Sequence, residues 1–169
     1  MSDVTPADKP ESSARRAARL AAVQALYQME LTGVNAETVA EEFAVFRFGI
    51  EPELLALGDP DEEFFGSIVR GVPLHQAEID DAIANSLASG WRLSRVDSIL
   101  RAILRAGAFE LIGRPDVPAK VVINEYIELT HAFFLDDQTS FVNAVLDKLA
   151  RQNRAAEFGE TPPEGELGF

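Results

Sequence analysis

Residues 14–31 constrain this chain more than any other segment. Alanine and leucine dominate the run, and it contains no glycine or proline. Leu20, Val23, Tyr27 and Leu31 recur at three- and four-residue intervals, while Ala18, Ala21, Ala22, Ala25 and Leu26 fill the positions between them. These are good helix formers. A helix that is apolar on most of its sides has to be surrounded by other elements, so it predicts a central, buried helix. Ser12 and Ser13 offer an N-cap before it, and Gly33 offers a stop after it.

The partners such a helix needs are also helical in pattern. Asn35 can cap a helix over 36–47 with Val39, Phe43 and Phe46 inward. Residues 48–60 hold Gly49, Pro52, Gly58 and Pro60 and read as a loop. Phe65, Ile68, Val72, Ile79, Ile83 and Leu87 carry a helical pattern over 61–89, which Gly71 and Pro73 should kink or split. Ser94 and Asp97 have capping-box spacing for a helix over 95–112, whose inner face is Val96, Ile99, Leu100, Ile103 and Leu104. After the turn at 114–118, Val122, Tyr126, Leu129 and Phe133 predict a helix to about residue 134. Asp136 and Asp137 can cap a last helix to about 151, with Phe141, Val142, Val145, Leu146 and Leu149 on its apolar side. Strand alternation is nearly absent. The fold class is therefore all-α, a helical bundle of six to seven helices. The expected organisation is an N-terminal arm over 1–13, a helical sub-bundle over 14–90 with an acidic insert at 35–60, a second sub-bundle over 91–154, and an acidic tail over 155–169. The arm and tail are polar and rich in Pro, Gly or Glu, and are expected to be disordered.

Charge bears on function through its distribution. The net charge of −13 argues against a general polyanion binder or a polybasic membrane-surface protein. Residues 31–66, however, hold nine acids against Arg47 alone, and residues 155–169 hold four acids and no base. These two segments supply twelve of the thirteen excess negative charges. Within residues 14–29 there are three arginines and no acid.

Catalytic and metal chemistry find little support. Cysteine is absent, which removes disulfides, thiolate catalysis and cysteine zinc sites. His75 and His131 lie in different helices without ligand spacing, and no Walker loop, GxGxxG, GxSxG or HExxH occurs. The Asp61-Glu62-Glu63 cluster suits a helix start facing water better than a metal. No enzyme activity, cofactor or metal is expected. No export signal or membrane span is visible, so a cytoplasmic protein is expected.

Three features remain. Arg15, Arg16 and Arg19 occupy the start of the first helix, where the dipole favours acids instead. They form either a solvated basic end or a phosphate-binding one, since guanidinium binds phosphate bidentately. Phe133, Phe134 and Phe141 flank the Asp136-Asp137 turn; they are either core or, where exposed, a surface for stacking an unpaired base. Arg101 and Arg105 share a helix face, either solvated or turned to a partner.

The run from Ala14 to Tyr27 (ARRAARLAAVQALY) resembles the opening helix of the NusB family of bacterial transcription antitermination factors. DVPAKVVINEYIEL from Asp116 to Leu129, followed by FVNAVLDK from Phe141 to Lys148, resembles a second family signature, and ILRAGAFEL from Ile103 to Leu111 a third. The matches are in order and span residues 14–151. The resemblance implies two small helix bundles and a heterodimer with NusE, a small-subunit ribosomal protein. The pair would bind boxA, a single-stranded element of nascent ribosomal RNA leaders, within an RNA polymerase elongation complex that resists termination. It places Arg15, Arg16, Arg19, Asp137 and Phe141 toward the RNA. Lys120 and Asn143 belong to the matching motifs, Lys120 being counted with the RNA residues. Tyr27, Leu100 and Arg101 fall on the partner side. Ala17, Leu100, Phe109 and Phe134 depart from residues frequent in the family. The rival reading is a helical interaction module or homodimer that does not bind RNA directly.

Overall fold

The computed structural model describes residues 10–43, 60–134 and 136–160; the side chains of 10–12 and of Asp136 lie outside that description. Within it the chain is all-α. Seven α-helices run in order: α1 Pro10–Thr32, α2 Ala36–Glu42, α3 Glu62–Leu74, α4 Gln76–Ser86, α5 Ser98–Gly113, α6 Ala119–His131 and α7 Asp136–Asn153. Two 3-10 helices, Leu93–Arg95 and Ala155–Phe158, complete the set, and no strand occurs among the described residues. Two compact units result, residues 1–73 and 74–169. The boundary lies at the end of α3, so the sequence-based boundary at 90/91 falls inside the second unit, where α4 packs on α5 and α7.

In the first unit α1 is the buried helix its composition demands. Ala17, Ala18, Leu20, Ala21, Ala22, Val23, Ala25 and Leu26 are all in the core. It starts at Pro10, earlier than the predicted residue 14, because proline is tolerated in a first helical turn, where its missing N–H has no partner to lose. It ends at Gly33, whose φ of +74° suits glycine and whose N–H donates to Met29 O. Asn35 Oδ1 caps α2 by accepting from Thr38 N at 2.9 Å. That helix runs to Glu42, and residues 44–47 of its predicted extent lie outside the described residues; Phe43 follows Glu42, buried and stacked on Phe65 with ring centroids 5.6 Å apart. Phe46 and most of the acidic segment lie outside the described residues. Asp61 Oδ1 caps α3 through Phe64 N, which gives the acidic cluster its role at a helix start. Arg70 Nε donates to Glu37, joining α3 to α2 and holding the Glu37 carboxyl below the usual carboxylate range.

The predicted long helix over 61–89 is split at the boundary of the two units. Pro73 closes α3, and α4 begins after His75. Asp97, not Ser94, caps α5: its Oδ1 accepts from Ile99 N, while Ser94 sits in the preceding 3-10 turn. α7 packs on α4, α5 and α6 and supplies the buried side chains Val142, Val145, Leu146 and Leu149. Fully buried Tyr126 donates its hydroxyl proton to fully buried Glu110.

The tail departs from expectation over residues 155–160. Arg154 Nε and Nη2 donate to Leu111 O, Glu110 O and Arg114 O at the end of α5, while Nη1 reaches Val117 O and Glu157. These carbonyls lie at a helix C-terminus and in the following loop, where α-helical partners run out. Glu157 in turn accepts from Ala119 N at the start of α6. One guanidinium and one carboxylate therefore hold the α5 end, the α6 start and the 3-10 turn together, which keeps 155–160 on the fold.

Candidate nucleic-acid interface

The candidate residues divide between the units. Arg15, Arg16, Arg19 and Tyr27 lie on α1 in the first; Leu100, Arg101, Lys120, Asp137 and Phe141 lie in the second.

On α1, the arginines are packed against an aromatic ring. The guanidinium carbons of Arg15 and Arg19 sit 4.7 and 4.9 Å from the centre of the buried Phe64 ring. The one-turn spacing of the two residues lets a single aromatic face hold both. Arg19 is only 3% exposed, so its side chain is packing material, not a free surface cation. Arg15 and Arg16 are half-buried. The Arg15 Nε is buried against the fold and has no hydrogen-bond partner among the described residues. Arg15 and Arg19, one turn apart in the second and third turns of α1, bring two cations together over one ring, a local positive charge that would attract an anion. Tyr27 is half-buried further along α1.

In the second unit Lys120 and Asn143 are brought together. They line an open groove of about 460 Å³ with Asn124, Asp147, Arg151 and Glu157. Arg151 is neutralised there by Asp147 and Glu160, with its guanidinium over the Phe158 ring. Lys120 is exposed, and its ammonium has no ion pair among the described residues. Burial pushes the Glu157 carboxyl up, but hydrogen bonds from Arg154 and the Ala119 amide, aided by the Arg154 charge, leave it below the usual carboxylate range.

Asp137 is exposed in the first turn of α7. One turn on, Phe141 is half-buried and meets the ring of Trp91 at 5.4 Å between centroids, tilted by 31°. Phe133 is exposed at the end of α6, whereas Val122 and Tyr126 of its stripe are core. Trp91 was not among the sequence candidates. The available signal was its status as the single tryptophan of the chain, in a stretch over 88–96 that contains two arginines and no acid.

The two partner-side candidates on α5 are held within the second unit. Leu100 is 6% exposed, its side chain in the core. Arg101 Nη1 donates to Leu93 O, Ser94 O and Val96 O, so it pins the loop before α5. Arg105 pairs with Asp80 across α5 and α4.

Seven α-helices, no strand among the described residues and a basic start to a buried first helix define an all-α protein of the helix-bundle class. More narrowly, the chain belongs to the NusB family of transcription antitermination proteins, whose family model matches residues 16–151. It is 52% identical over 140 residues to the transcription antitermination protein NusB of Caulobacter vibrioides, covering 83% of this chain and 94% of the relative. It is 53% identical over 144 residues to that of Maricaulis maris, covering 85% and 90%. Among solved structures it resembles T. maritima NusB, with a TM-score of 0.68, 28% identity and coverage of 86% and 96%. A chain in the crystal structure of a plectonemic RNA supercoil matches with a TM-score of 0.64 and 25% identity. No helix among the described residues is long and apolar enough to cross a membrane.

Proposed function

We propose that this protein binds the single-stranded boxA element of nascent ribosomal RNA leaders together with NusE, and so helps RNA polymerase form a termination-resistant elongation complex. The observation that carries the reading is the arginine cluster near the start of α1, where Arg15 and Arg19 rest on Phe64 and half-buried Arg15 makes no hydrogen bond or ion pair among the described residues. Arg15 and Arg16 contact phosphate; Arg19, buried, positions the cluster. Lys120 supplies a further cation. Asp137 and Phe141 face the bases, the first as an acceptor and the second as a stacking surface. Tyr27 and the exposed edge around Arg101 face NusE, with Leu100 as packing behind that edge.

A chain with a net charge of −13 and so few available cations binds RNA weakly by itself. A basic partner supplies the missing charge and further contacts. Filter binding of a boxA RNA should therefore tighten by about tenfold or more when NusE is added. Equal affinity with and without NusE contradicts the shared-site reading. Absence of RNA binding in both, with a homodimer by light scattering, favours the interaction-module reading.

A further inference from the structure

We propose that Trp91 and Phe141 form a stacking platform for one unpaired RNA base, with Arg92 and Arg95 holding the phosphates on either side of it. This rests on the proposed RNA-binding function and adds to it a recognition element centred on Trp91.

Trp91 is 58% exposed, an unusual situation for so large an apolar ring. Its position is well defined. Gly90 takes a φ of +89°, and Trp91 N donates to Ala88 O, making the turn out of α4. On the other side, the 3-10 turn Leu93–Arg95 is held by the three bonds that its carbonyls and that of Val96 accept from Arg101. The Phe141 ring then supports Trp91 from α7. A ring fixed at both ends of its loop and still open to solvent is pre-organised for a planar ligand.

The charge around the pair favours RNA over a protein. Arg92 and Arg95 are exposed, and neither guanidinium has a hydrogen bond or ion pair among the described residues. Residues 88–96 contain no acid, in a chain where acids outnumber bases by thirteen. Two unspent guanidinium groups within four residues of an exposed aromatic ring combine the cation and stacking surface that a single strand uses. Asp137, exposed one turn before Phe141, repels phosphate from the platform itself but accepts hydrogen bonds from base amino groups. The centre is thus suited to a base and the flanks to phosphates.

As the single tryptophan, Trp91 reports on its own occupancy. The full chain is titrated with a boxA RNA oligonucleotide in the presence of NusE, and the emission lost in Trp91→Phe is taken as the Trp91 signal. The expected result is quenching that saturates with RNA binding measured by gel shift. Trp91→Ala should weaken RNA binding by about 5- to 100-fold, with helicity and NusE binding unchanged. Arg92→Ala with Arg95→Ala should lower the salt slope by about 1.4. Normal RNA affinity in Trp91→Ala without quenching in the parent overturns the platform while leaving RNA binding intact. Loss of NusE binding in Trp91→Ala shows a protein interface and also overturns it. Absence of RNA binding by the parent protein overturns the wider function and the platform with it.

Discussion

Arg154 in the second unit and Arg15 in the first carry the same guanidinium into opposite situations. Arg154 is 8% exposed at its side chain, and its nitrogens are directed at four carbonyls and one carboxylate. Arg15 rests on an aromatic face with its Nε unpaired among the described residues. The first is a structural clamp; the second packs on a ring and makes no hydrogen bond or ion pair among the described residues. In this acidic chain the role of an arginine follows from whether its donors are already spent, not from its position on a helix. Arg101 belongs with Arg154 by this criterion, and Arg92 and Arg95 belong with Arg15.

The largest test of the contrast is Arg154→Ala. It strips several carbonyls at the α5 end and releases Glu157, and should cost about 3 kcal/mol or more in denaturant unfolding of the full chain. A loss under 1 kcal/mol would place Arg154 outside the clamp role. Next comes Tyr126→Phe, which removes a donor from fully buried Glu110 and should cost about 1–3 kcal/mol in the same measurement. A neutral result would show that the other partners of Glu110 suffice.

A smaller effect is expected with pH. The Glu157 carboxyl is held below its ordinary range in the folded protein, so its contribution is fully present above the ordinary glutamate range. It fades as pH falls through the lowered folded value. Glu157→Gln should flatten that acid limb of the stability profile; an unchanged limb would assign it to other carboxylates. The smallest effect on stability belongs to Arg15→Ala, where losing the contact with Phe64 should cost about 0.5–1 kcal/mol. A loss as large as that of Arg154→Ala would erase the distinction between the two arginines.

Most of the helices were legible because apolar spacing and caps act locally. Asn35, Gly33 and Pro73 each did what their backbone chemistry dictates. The errors arose where distant residues decide. Residues 155–160 carry an acidic, glycine-containing composition that suggests a free tail, but carbonyls donated to by Arg154 lie some forty positions earlier in the chain. Ser94 and Asp97 both fit a cap, and only the bonds from Arg101 to the 93–96 carbonyls select the 3-10 turn and Asp97. At the candidate interface, spacing identified the arginine cluster but could not reveal that Arg19 is buried while Arg15 is half-buried on the same ring. Trp91 escaped because it lies outside every helical stripe, in a loop whose partner ring on α7 is fifty positions away.

In the proposed function, RNA meets α1 at Arg15 and Arg16. The most direct measurement is the salt dependence of boxA RNA binding, in the presence of NusE, for the parent chain and for Arg15→Ala with Arg16→Ala. The double variant should bind more weakly and show a salt slope lower by about 1.4, with the circular-dichroism spectrum unchanged. An unchanged slope, or a loss of binding that tracks a loss of helicity, would contradict it.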